Sequence, residues 1–303
     1  MHALWMLLAA FFFASMGVCI KAASPYFTPG EMVFYRGVIG VLMMAWLARR
    51  QGLSLKTEYP GMHAWRSLIG VTSLVAWFYA IAHLPLATAM TLNYMSSVWI
   101  AVFLLGAALW TWRPSSESPR PPIQASLLGT IIVGFAGVVL LLRPNINQDQ
   151  AFAGMLGLMS GMAAAFAYMQ VVALSRIGEP ETRTVFYFAI GSGVAGAGTM
   201  VVTGVSPWAG WHTLWLIPIG VLASIAQLCL TKAYARAMTS RETLVVANLQ
   251  YSGIIFGAIF GMLFFGDAMG FSGWLGMFLI IASGITATVL RARGAPDVPS
   301  EDH

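Results

Sequence analysis

The 303 residues are 58% hydrophobic and only 9% charged, with a mean hydropathy of +0.77, whereas a soluble domain usually carries about 25% charged residues. That composition excludes a soluble enzyme and a disordered chain alike, and its solvent is the lipid bilayer. A net charge of +5 raises the question of nucleic acid, but the bases stand singly at helix ends, so their partner is the anionic lipid surface and not nucleic acid.

At about 20 apolar residues per bilayer crossing, the chain divides into ten spans at about 2–20, 30–48, 63–83, 86–110, 123–142, 151–175, 183–204, 211–235, 240–265 and 270–290. The fold class is all-α integral membrane. The first span has only His2 before its apolar run and no small-residue cleavage site near Ala14 to Cys19, so it reads as helix 1 and not as a removed signal peptide. Pro218 falls inside the eighth span and predicts a kink near its end. Cys19 and Cys229 lie in apolar runs, as small packing residues rather than metal ligands or a disulfide.

With ten spans, thirteen of the sixteen Lys and Arg fall on the side that holds both termini; the other three are Lys21, Arg36 and Arg143. By the positive-inside rule both termini are cytoplasmic, in the inner membrane of a bacterium. Lys21 and Arg36 read as snorkelling to the outer interface and Arg66 as an inner-side base.

Internal similarity divides the chain again. Val33-Phe34-Tyr35 recurs as Val185-Phe186-Tyr187 at an offset of 152, and Tyr79, Ala80, Ala82, Thr88, Asn93 and Ser97 recur as Tyr234, Ala235, Ala237, Thr243, Asn248 and Ser252 at 155. Two units follow, 1–146 and 147–303. Five helices per unit is odd, so the second unit enters the membrane from the opposite side, the inverted-repeat plan of secondary transporters.

Polar residues inside a span are costly and mark function by default. Ser224, Gln227, Thr231 and Tyr234 are spaced 3, 4 and 3 on one face of helix 8, and Thr72, Tyr79 and His83 form the related stripe on helix 3. Helices 4 and 9 add Asn93 with Ser97 and Asn248 with Ser252; Tyr168 on helix 6 is a further candidate. Such a seam can bind substrate, or it can hold helices together by hydrogen bonds alone. No carboxylate falls in mid-span, which argues against a cationic substrate and against a proton relay through an acid. Flux is therefore expected to follow the substrate gradient. The seam has no metal-ligand cluster, paired buried acids or nucleophile elbow, so the chain reads as a transporter and not an enzyme, without cofactor or metal.

The opening Trp5-Met6-Leu7-Leu8-Ala9-Ala10-Phe11-Phe12-Phe13-Ala14, the stretch Tyr79-Ala80-Ile81-Ala82-His83-Leu84-Pro85-Leu86-Ala87 and the close of helix 9, Leu263-Phe264-Phe265-Gly266-Asp267, resemble the EamA-type drug/metabolite transporter superfamily. Members usually have Gly-Glu where Gly266-Asp267 stands, and Leu105-Gly106-Ala107 lacks the matching acid in the first half. The resemblance implies export of small neutral or zwitterionic metabolites, foremost amino acids including aromatic ones, by a monomer or homodimer. The alternatives are anionic solutes, such as nucleotide sugars, sugar phosphates or S-adenosylmethionine-like molecules, and a non-transporting structural or receptor role.

Overall fold

A computed structural model describes residues 2–96, 98–99, 102–103, 125–142, 148–236, 246 and 248–294. Ten α-helices are described: α1 (His2–Ala23), α2 (Pro29–Gln51), α3 (Pro60–His83), α4 (Leu86–Tyr94), α5 (Ala125–Leu142), α6 (Gln148–Arg176), α7 (Glu181–Thr203), α8 (Leu216–Ala235), α9 (Ser252–Phe265) and α10 (Phe271–Gly294). Among the described residues, six helical segments are long and apolar enough to cross a membrane, those of α1, α2, α3, α6, α7 and α8. Shorter apolar helices lie at 129–141, 252–265 and 271–286. The chain is an all-helical, multi-pass membrane protein.

Local chemistry sets the helix ends. Thr28 caps α2 through its hydroxyl, Glu31 returns the bond to the Thr28 N–H, and Pro29 supplies a first-turn residue that needs no acceptor. The same helix ends at Gly52, whose φ of 66° is a left-handed conformation that favours glycine. Pro218 lies in the first turn of α8, directly after a 3-10 segment, Gly210–Trp215, so the helix type changes where the sequence places the kink.

The bundle has two ends. The near end holds the start of α1, the end of α2 and the starts of α3 and α7; the far end holds the end of α1, the starts of α2 and α4 and the end of α9. The most extensive packing joins α2 to α7, α5 to α10, α3 to α6 and α1 to α8, followed by α2 with α8, α1 with α9, α3 with α7, α4 with α6 and α4 with α9. Exchanging the first five helices for the last five maps each of these pairs onto itself or onto another in the set. Glycine permits the closest crossing: a Cβ on Gly37 of α2 would fall against the backbone of Gly193 in α7, 2.7 Å from its Cα.

Each end is tied by polar contacts. At the far end, Glu31 accepts hydrogen bonds from the N–H (2.7 Å) and hydroxyl (2.6 Å) of Ser206 beyond α7. At the near end, Arg183 donates to the carbonyl of Ser54 beyond α2, from Nε at 3.1 Å and Nη2 at 2.8 Å. Under the offset of 152, Glu31 corresponds to Arg183 and Ser54 to Ser206, so one clasp occurs twice with its charge reversed. A further far-end contact has Lys21 Nζ donating to both oxygens of Asp267 at 2.8 Å, while Asp267 also accepts the Leu86 N–H at 2.9 Å. Lys21 thus reaches a carboxylate rather than the lipid headgroups, and Asp267 caps the start of α4.

Candidate functional site

Arg36 lies two turns into α2 and Arg66 almost two turns into α3, yet both are buried, at 5% and 3% exposure. Neither snorkels. Their guanidinium carbons lie 5.0 Å and 4.2 Å from the ring centroid of Phe188 on α7, a cation–π arrangement that holds two like charges against one aromatic face system. Arg36 Nη1 donates to the Ser192 hydroxyl at 3.1 Å, and that hydroxyl donates to the Phe188 carbonyl at 2.8 Å. Gly70, one turn beyond Arg66, leaves the room: a Cβ there would lie 2.5 Å from Arg66 Nη1 and 2.8 Å from the Phe188 ring.

Both arginines line a cavity among α1, α2, α3, α4, α6, α7 and α8, with Phe13, Trp77, Tyr94 and Tyr168 as its aromatic walls. Arg36 Nε and Arg66 Nε and Nη1 have no hydrogen-bond partner, nor do Trp77 Nε1 and the Tyr94 hydroxyl. No Asp or Glu among the described residues lines the cavity. An unpaired buried charge is among the costliest things a fold can hold, and the guanidinium is the side chain least able to escape by losing its proton. The cavity thus presents open guanidinium N–H groups beside aromatic surface.

Helices α4 and α9 are interrupted beside this cavity. α4 ends at Tyr94, the Met95 N–H turns to the Leu92 carbonyl (3.3 Å), and helix resumes at Ser96. Before α9 the turn at Gln250 and Tyr251 is closed by the Tyr251 N–H on the Asn248 carbonyl at 3.1 Å. Met95 and Gln250 are 155 residues apart, the offset of the internal similarity. In secondary transporters, interrupted helices of this kind expose backbone polar groups at the substrate site.

Of the residues singled out by sequence, Asn93, Tyr168 and Gln227 line the cavity. Asn93 donates to Ser160 Oγ at 3.0 Å, and Gln250 donates to the Tyr168 hydroxyl at 3.0 Å. Ser224 and Thr231 are buried, but each spends its hydroxyl on its own helix, at Gly220 and Gln227 carbonyls 2.8 Å away. Tyr234 is half-buried, its ring 6.3 Å from that of Tyr168. Asn248 has a buried carbonyl oxygen without a partner, and Ser252 donates to the Leu249 carbonyl at 2.7 Å; neither lines the cavity. Ser97 lies outside the described residues.

The stripe on helix 3 sits elsewhere. Thr72 and Tyr79 face a separate apolar groove formed by α3, α6 and α7, and His83 is exposed at the helix end with its ring stacked on Tyr79. The cavity face of α3 is Arg66, Gly70, Ser73 and Trp77, spaced 4, 3 and 4, about 130° around the helix from Thr72. That spacing is visible in the sequence. It is missed when Arg66 is assigned to a helix end.

A multi-pass helical bundle around a polar, charge-bearing cavity flanked by two interrupted helices defines a membrane transporter. The chain belongs to the EamA-like transporter family: that family's profile matches residues 1–110, and the pseudopaline exporter of Pseudomonas aeruginosa is 30% identical over 278 residues, 91% of this chain and 92% of that protein. The riboflavin transporter of Rhizobium johnstonii is 26% identical over 286 residues, 93% and 89% of the two chains. A solved crystal structure shares the fold, with a TM-score of 0.65 at 17% identity, covering 96% of this chain and 98% of its own.

Proposed function

We propose that the chain is a secondary transporter that exports small acid-bearing metabolites by alternating access, with Arg36 and Arg66 holding the acidic group and Trp77, Tyr94 and Tyr168 holding the rest of the molecule. One observation carries this reading: two buried guanidiniums meet in one cavity without a counter-charge among the described residues. Free amino acids, including aromatic ones, fit it through their carboxylate, and sugar phosphates or nucleotide sugars through their phosphates. A wholly neutral solute leaves both charges unpaired. The pseudopaline exporter among the relatives supports outward transport.

The scaffold for this activity is two inverted five-helix repeats, 1–146 and 147–303. Supporting it are the helix pairs that interchange between halves, the doubled clasp of Glu31 with Ser206 and Arg183 with Ser54, and the helix breaks 155 residues apart. Rocking of one repeat against the other about the central cavity then opens it to each side in turn. The near end is cytoplasmic and holds both termini, on the distribution of Lys and Arg.

Counterflow into proteoliposomes tests the substrate class. A panel pairing each acid with its neutral amide is expected to give exchange with acids only, reduced at least about tenfold in Arg66→Gln, as loss of a charged hydrogen-bonding partner implies. Equal exchange of acids and amides, unaffected by Arg66→Gln, refutes the reading.

A further inference from the structure

At the near end the structure buries a second titratable group that the cavity does not use. His63, in the first turn of α3, is 1% exposed, and neither of its ring nitrogens has a hydrogen-bond partner. Its ring stacks on Tyr187 of α7 with centroids 4.6 Å apart. Nε2 stands 3.7 Å from Oε2 of Glu179 in the α6–α7 connection, beyond hydrogen-bond reach. That carboxylate is buried too and already held: Thr57 Oγ1 donates to Oε1 at 2.6 Å and Arg183 Nη1 to Oε2 at 3.0 Å. Besides Glu179, the charges acting on the imidazole are Arg183, on α7, and Arg66, one turn along its own helix.

A neutral imidazole carries one N–H and one lone pair, and here each tautomer buries its N–H without an acceptor. A bound proton resolves the mismatch. The imidazolium needs only a small approach to Glu179 to make a charge-assisted hydrogen bond, on a carboxylate whose second lone pairs remain open.

We propose that His63 is a proton-binding site with Glu179 as its counter-ion, linked through Arg66 to the charge in the cavity. Arg66 repels a proton on His63, since residues three apart on a helix are neighbours. An acidic group that neutralises Arg66 removes that repulsion, so proton and acidic substrate each favour the other's binding, reciprocally. The link to substrate rests on the function proposed above; the proton site does not.

The test needs no substrate. The full-length protein, with its five histidines labelled with 15N in the ring and held in lipid nanodiscs, is titrated by NMR from about pH 5 to 8, the range in which imidazole ordinarily changes charge. His63→Gln identifies the signal, and its through-space contact to the stacked Tyr187 ring identifies it independently. The His63 ring is expected to gain its proton within that window. Glu179→Gln is expected to move the midpoint to lower pH by about one unit and Arg66→Gln to move it upward, each removing one nearby charge. A ring that stays neutral throughout overturns the proton site; a midpoint indifferent to Arg66→Gln overturns the linkage. Neither result bears on the acid-against-amide panel, so the two readings fail separately.

Discussion

Arg36 and Arg66 are not equivalent. Arg36 is steered by the Ser192 hydroxyl, while Arg66 has two free donors and the shorter approach to Phe188. Arg66→Lys keeps the charge but loses the planar fork; it is expected to weaken substrate binding, raising KM several-fold while maximal flux holds, whereas Arg66→Gln raises KM further and lowers maximal flux as well. Ser192→Ala frees Arg36 from one hydrogen bond worth about 1.5–3 kcal/mol for a charged donor. Its expected signature is a raised KM with protein yield unchanged, measured by proteoliposome exchange. At this scale the sequence was legible where periodicity alone decides, as with Gln227 on α8 and Asn93 on α4. It was misleading where depth decides. Arg36 and Arg66 stand seven and six residues inside their helices, within snorkelling distance of an interface, and only the packing of α7 across them reveals that they turn inward.

Helix ends were readable where the sequence carries punctuation with a mechanism, as Thr28, Pro29, Gly52 and Gly266 do. The breaks in α4 and before α9 were not, since Met95, Gln250 and Tyr251 carry no glycine or proline signal; tertiary packing imposes them. The crossing of α2 and α7 offers a sharp test of element packing. Gly37→Val drives a side chain into the backbone of Gly193, which cannot yield, and is expected to abolish recovery of folded protein in a detergent-extraction and size-exclusion assay. Gly193→Ala is the control: a Cβ on Gly193 meets nothing within 4 Å, so folded yield should equal that of the parent. Folded yield of Gly37→Val equal to that of the parent would show that the crossing is not as tight as described.

For the whole molecule, the ten-helix inverted plan proposed above puts both termini on one side. A periplasm-active reporter fused after His303 is expected to be silent and a cytoplasm-active one to be bright. The two halves share a scaffold without sharing a binding surface: Arg36 corresponds, at the offset of 152, to Phe188, so the first half supplies cations to the cavity and the second supplies the ring on which they rest. In the function proposed above, pseudo-symmetry serves the motion and its violation serves selectivity. The repeat is read in the sequence from scattered identities, and this asymmetry lies among their mismatches.

The far-end knot of Lys21, Asp267 and the Leu86 N–H has a consequence for leakage. One carboxylate serves two masters, so any movement that parts α9 from α1 and α4 must uncap a helix and strand an ammonium in the same step. Helix caps are worth about 1 kcal/mol and a charged hydrogen bond about 1.5–3 kcal/mol, which together favour the tied arrangement by a factor on the order of 100. In the transport cycle proposed above, such a tie acts as an insulator: an idle carrier seldom becomes a pore through which protons and solutes slip uncoupled. Asp267→Asn keeps the cap acceptor but discards the charge pair, and vesicles bearing it should lose an imposed ion gradient faster than parent vesicles when no substrate is present.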